Sequence, residues 1–158
     1  MKNKNIFEVR IKSRRWIFIF GFFFSINDFG FDSLKDANGD FAGAIYSKKS
    51  DSFTLFRDHT GVRPLFYYAD RNLFAFSTDI RGITAIPETD TAINEKFFYE
   101  SLSGYFPLTL DKTDYQNIYC ILPAHYYTVH VSNEGFHIST KEYWRLGSKK
   151  IRFKTDKF

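Results

Sequence analysis

Turn-forming residues recur so often through the first half of the chain that no long helix fits between them. Asn27-Asp28, Asn38-Gly39-Asp40, Lys48 to Asp51, Asp58 to Arg63 and Ala69 to Asn72 each bring together residues that favour tight turns. The segments left over are Phe41 to Tyr46, Phe53 to Arg57, Leu65 to Tyr68 and Leu73 to Ser77. They are short, apolar and aromatic, and they predict four successive strands with the spacing of an antiparallel meander. With 20 Phe, 10 Tyr and 2 Trp, a fifth of the residues are aromatic, which excludes a disordered chain and suits pleated, half-buried surfaces.

Upstream, Phe7, Val9 and Ile11 alternate with Glu8, Arg10 and Lys12, the period of a strand. Lys12 to Arg15 reads as a turn and Trp16 to Ile26 as the returning apolar strand, so residues 5–26 predict a hairpin. The alternative is a signal peptide, because basic residues precede an apolar run of suitable length. That run is too short to span a bilayer as a helix, and no small-residue cleavage pattern follows it. Phe18, Phe20, Phe22 and Phe24 alternate along the returning strand and so point to one face. An apolar patch of that kind is expected to be covered by a partner subunit or a second copy of the chain.

Helical signals come later and are few. Ser77-Thr78-Asp79 can cap a short turn through Arg81. Ile93, Phe97, Phe98 and Leu102 line one face of a helix beginning near Asn94, and Gly104 sits where it should stop. Strands are expected again at Ile118 to Leu122, Tyr126 to Val131 and His137 to Tyr143. From Gly147 the chain turns basic and reads as the start of a linker.

A length of 158 residues is that of one domain. No internal repeat or low-complexity segment interrupts it. The net charge of +4 is spread over 22 basic and 18 acidic residues, as on an ordinary solvated surface. Basic and aromatic residues interleave between positions 10 and 24, but no nucleic-acid-binding motif frames them, and no nucleic-acid or membrane partner is expected. The one cysteine, Cys120, excludes an internal disulfide framework and suits a reducing, cytoplasmic setting. The histidines His59, His125, His130 and His137 lack the i, i+4 or paired spacing of a zinc site, and no metal is expected. Ser77 and Asp79 with a histidine could be drawn as a hydrolase triad, yet no nucleophile elbow surrounds Ser77.

Four segments, in order, resemble the asparagine synthetase family. Gly39-Asp40-Phe41-Ala42 with Ala44-Ile45-Tyr46 resembles its Gly-x-Phe-Ala strand. Arg57-Asp58-His59-Thr60-Gly61-Val62-Arg63-Pro64-Leu65-Phe66-Tyr67-Tyr68 resembles its hairpin Arg-Asp-x-x-Gly-x-basic-Pro-Leu-x-Tyr. Phe74 to Arg81, with Ser77 and Asp79, is similar to its Phe-Ala-Ser-Glu-x-Lys segment. Ile118 to His125, with Pro123, and the pair Tyr143-Trp144 are similar to its Leu-Pro-x-Gly-x-Tyr strand and its closing aromatic pair.

The resemblance covers roughly residues 36–158. It implies the C-terminal part of a class II glutamine amidotransferase domain. The fold it implies is α+β, an N-terminal-nucleophile-hydrolase-like antiparallel β-sandwich with few flanking helices, a truncated αββα arrangement. The amidotransferase-like domain is expected over residues 1–146, with 1–35 divergent, and a linker towards a synthetase domain over 147–158. Physical reading gives three of these residues turn duties: Asp58 to accept backbone N–H groups, Gly61 to supply positive φ, Pro64 to set φ before the next strand. A structural role is expected for Arg57, Asp58 and Gly61, with direct ligand contact as the alternative, and Arg63 enters as a family-motif residue, also expected to be structural.

The chemistry of that family needs a cysteine at the mature N-terminus, with its own α-amino group as base. Here Met1 is followed by Lys2, and Cys120 lies inside an apolar strand. The family's glutamine-holding loops do not occur in residues 1–35, and no pyrophosphate-binding Ser-Gly-Gly-x-Asp-Ser loop is present. No catalytic, cofactor-binding or metal-binding residue is therefore assigned. The expected function is a glutaminase-silent scaffold for an ATP-dependent, amide-forming synthetase domain or subunit, with a homodimer also open. The alternative is part of a genuine glutamine-hydrolysing asparagine synthase whose N-terminal portion lies elsewhere.

Overall fold

The computed structural model describes residues 6–11, 14–19, 31–47, 49–104, 109–132 and 135–147, with side-chain packing from Phe31 onward except Asp32. Its strands are β1 (Ile6–Ile11), β2 (Arg14–Ile19), β3 (Ala42–Ser47), β4 (Ser52–Arg57), β5 (Phe66–Ala69), β6 (Leu73–Ser77), β7 (Ile118–Cys120), β8 (His125–Ser132) and β9 (Gly135–Glu142). A 3-10 helix spans Phe31–Asp36, and two α-helices follow β6: α1 (Ile80–Thr84) and α2 (Glu95–Leu102).

The strands form two sheets, one in the order β1-β2-β6-β5-β7 and the other β3-β4-β8-β9. The pairings are antiparallel except that of β2 with β6. The fold is thus mixed α+β, with mostly antiparallel sheets and few helices. The hairpin expected near the start is present as β1 and β2, with Ile11 opposite Arg14, so the turn is shorter than Lys12 to Arg15 implies. The returning strand is described as far as Ile19, and the expectation for Phe20, Phe22 and Phe24 lies outside the described residues, as does the side chain of Phe18.

One expectation is corrected. The four strands from Phe41 to Ser77 do not make a single meander: β3 and β4 belong to one sheet, β5 and β6 to the other. The Asp58 to Leu65 connection carries the chain across. The reason lies in the alternation of side chains. On the facing sides of the two sheets, Phe53, Leu55, Tyr127 and Val129 meet Leu65, Phe74, Phe76 and Ile121, with Leu55, Phe74, Ile121 and Val129 fully shielded. Stacking two apolar faces removes both from water, which a single four-stranded sheet could not do for either.

The outer faces are covered differently. Ile83 of α1, with Ile86, packs on Tyr68, Leu73, Ala75 and Ile118 of the first sheet. Leu34 of the 3-10 helix packs on Phe41 and Phe56 of the second. Sequence periodicity favours α2 as the flanking helix, and here too the structure differs. Asn94 caps α2 as expected, its side chain accepting the Phe97 N–H at 3.3 Å, and Gly104 ends it with φ of 75°. Yet α2 buries none of its residues, and Phe98, Tyr99 and Leu102 are exposed. The flanking duty falls to α1 and the 3-10 helix, both too short to show a helical period.

Candidate functional site

The crossing between sheets begins at Arg57, the last residue of β4. Asp58 follows and is 1% exposed. Its carboxylate accepts the backbone N–H of Thr60 at 3.1 Å, of Val62 at 3.0 Å and of Arg63 at 2.9 Å, and the Thr60 hydroxyl at 3.3 Å. Burial opposes the charge on this carboxylate most strongly. The N–H donors of Arg63, Val62, Gly61 and Thr60 together outweigh it and hold the carboxyl below its ordinary value. The Asp58 backbone is engaged too: its N–H donates to Phe41 at 2.7 Å, and its C=O accepts Ala124 N–H at 2.8 Å.

Arg57 closes the loop from the other side. Its Nε donates to the Arg63 carbonyl at 2.8 Å, Nη1 to the Ile121 carbonyl at 2.7 Å, and Nη2 to the Gly61 carbonyl. Nη1 also lies 3.1 Å from the Cys120 sulfur. The guanidinium therefore fastens the loop to the end of β7. Gly61 has φ of 72°, and a Cβ there would stand 2.7 Å from Pro123 Cγ and 3.0 Å from Arg57 Cζ. Pro64 leads into Leu65, whose carbonyl accepts Ile121 N–H at 2.8 Å. The Arg63 side chain is exposed.

Around the loop stand Tyr143, Trp144 and His59, whose partners local patterns do not reveal. Tyr143 donates its hydroxyl to the Arg57 carbonyl at 2.6 Å, and burial holds that phenol neutral far above the ordinary tyrosine range. His59 donates Nε2–H to the Lys35 carbonyl at 3.1 Å and meets Phe41, Tyr143 and Trp144 edge to face. The loop is thus tied to the 3-10 helix, to β3, to β7 and to the segment after β9.

A profile of the family described as a glutamine amidotransferase domain matches residues 23–144. The chain belongs to that family. Among its relatives, a Methanocaldococcus jannaschii protein named "Putative asparagine synthetase (glutamine-hydrolyzing) 2" is 38% identical over 82 residues, 52% of this chain and 16% of that protein. The Bacillus subtilis asparagine synthetase (glutamine-hydrolyzing) 3 is 31% identical over 123 residues, 75% of this chain and 19% of the relative. The chain therefore spans less than a fifth of the length of either. The match begins upstream of the motif-bearing region, at residue 23.

In this amidotransferase domain the loop residues are saturated by their own chain. Each ionised group of Arg57 and Asp58 already has several partners, which suits a latch and leaves little for a ligand. Ser77 is 1% exposed and accepts the Asp79 N–H at 3.0 Å, while Asp79 caps α1 through the Arg81 N–H and pairs with the Arg81 guanidinium. Neither is hydrogen-bonded to a histidine among the described residues, so they serve the β6–α1 turn. Cys120 is 9% exposed; burial pushes its thiol above the ordinary value, and the Arg57 guanidinium offsets only part of that.

Pro123 sits against Gly61, and the next residue, Ala124, has φ of 59° and is buried. A left-handed alanine is strained, but its N–H and C=O tie Asp58 to Tyr143. Ala124→Gly should change stability by less than about 1 kcal/mol, since relief of the backbone offsets the lost methyl. Ala124→Val, with a β-branched side chain in the same conformation, should cost about 2 kcal/mol. Urea unfolding of both variants checks the contrast, and equal stability of the two would remove the strain argument.

Proposed function

We propose that this chain is a glutamine amidotransferase-like domain that does not hydrolyse glutamine by itself and serves as a scaffold for an ATP-dependent, amide-forming synthetase domain or subunit. The observation that carries the reading is the state of the one thiol. A class II amidotransferase needs an accessible thiolate beside a free amine. Cys120 is buried in β7, is kept neutral by its surroundings, and takes part in the Arg57 latch. The motif residues, on this reading, hold the fold and present no activated nucleophile. On this reading the two sheets with their thin outer helices are a reduced N-terminal-nucleophile-hydrolase sandwich, working in the cytoplasm. Among the described residues, no helix is long and apolar enough to cross a membrane.

The purified chain should release no glutamate from glutamine above background, and a diazo-ketone glutamine analogue should leave its mass unchanged. Covalent labelling at any residue would sink the proposal. A second reading, part of a genuine glutamine-hydrolysing asparagine synthase, is favoured by the much greater length of relatives with that name. Genomic sequence separates the two. An in-frame Met-Cys start upstream supports the second reading, and a separate synthetase gene directly downstream supports the first.

A further inference from the structure

The fold brings together two side chains that sequence spacing leaves apart. His130 of β8 stands directly opposite His137 of β9 in the antiparallel register. Opposed residues leave a sheet on the same face with Cβ atoms about 4.5–5.5 Å apart. The same row continues across the sheet through Ser52 of β4, paired with His130, and Ser47 of β3, paired with Ser52. The neighbouring row holds Ile45, Thr54, Thr128 and Ser139, none of them charged.

The other two histidines are committed to backbone carbonyls, His59 to Lys35 at 3.1 Å and His125 to Pro123 at 2.7 Å. His130 and His137 have no hydrogen bond or ion pair among the described residues. His137 is exposed and His130 half-buried. Two imidazoles on one face, neither with a hydrogen bond or ion pair among the described residues and both reachable from solvent, meet the requirements of a chelate. Each must place a nitrogen about 2.0–2.1 Å from a common ion, a span that adjacent cross-strand side chains can close by rotation about χ1 and χ2.

We propose that His130 and His137 form a two-histidine site for a borderline divalent transition-metal ion of the Ni2+, Cu2+ and Zn2+ group. Imidazole suits these ions, and Mg2+ or Ca2+, which prefer oxygen ligands, are not expected there. No carboxylate lies in the row, so the remaining coordination positions fall to water. The site is separate from the Arg57–Asp58 latch and does not depend on the proposed function.

The test is calorimetric titration of the full chain with NiCl2 at neutral pH in a non-chelating buffer. One Ni2+ per chain is expected. His130→Asn and His137→Asn should each weaken binding at least as much as the ~10–100-fold loss seen when a mere supporting group of a metal site is removed. His125→Asn should bind as the parent does. Circular dichroism verifies that the variants fold, and His137→Asn, at an exposed edge-strand position, keeps the test open if the His130 variant does not. Absence of saturable Ni2+ binding, or undiminished binding by His137→Asn, overturns the proposal.

Discussion

Replacing Asp58 by Ala should unfold this domain at markedly lower urea concentration than the parent. The carboxylate is 1% exposed and satisfies three backbone N–H groups within 3.1 Å. Removing it leaves those donors without the acceptor they converge on, at about 1–3 kcal/mol for each that water cannot reach, so a total on the order of 3–5 kcal/mol is expected. Against a domain stability of roughly 5–15 kcal/mol, that is a large share.

Acid should have a related effect with a definite sign. Because the folded state holds the Asp58 carboxyl below its ordinary value, its contribution to stability is present above the unfolded pKa of about 3.9 and is lost as pH falls through the lower folded value. Asp58→Asn keeps one acceptor oxygen but presents an NH2 group where N–H donors converge. It should be destabilised at neutral pH and should lack this part of the acid dependence. A midpoint for Asp58→Ala within about 1 kcal/mol of the parent would show that the loop is held by other means.

Gly61→Val should have an effect of similar size by a steric route. The backbone is left-handed there, and the new Cβ would lie 2.7 Å from Pro123 Cγ and 3.0 Å from Arg57 Cζ. Accommodating it means displacing the guanidinium that holds the Gly61, Arg63 and Ile121 carbonyls. Backbone strain of about 1–3 kcal/mol adds to a packing cost of similar order, for a loss of about 3 kcal/mol or more. Thr60→Ala, which gives up only an exposed hydroxyl 3.3 Å from Asp58, should stay within about 1 kcal/mol of the parent. Comparable melting temperatures for the two variants would refute the conformational argument. The effects of Gly61→Val and Asp58→Ala should not add when combined, because both release the same latch.

Much of the latch is legible in the sequence. A carboxylate followed by a glycine three positions on and a proline three beyond that spells a turn, because Asx geometry, positive φ and restricted φ are properties of single residues. The cap of α2 and its glycine stop could be read for the same reason. Arg57's partners could not. Its guanidinium reaches Ile121, 64 residues away, and no local pattern encodes that contact. Ala124 gave no warning either, since positive φ at a non-glycine residue is imposed by neighbours, here by the bonds that tie it between Asp58 and Tyr143.

Alone, the sequence determined the strands, their approximate bounds, the turns between them and the family, because alternation, turn chemistry and motif order are local or linear. The tertiary structure decided which strands share a sheet. A period of two says that a face is apolar and leaves open which other face will cover it. The same limit applies to α2, whose Phe97, Phe98 and Leu102, with Ile93 just before the cap, suit a flanking helix although the helix buries none of its side chains. It applies equally to His130 and His137, seven positions apart along the chain, which become neighbours only when the β8–β9 register sets one opposite the other.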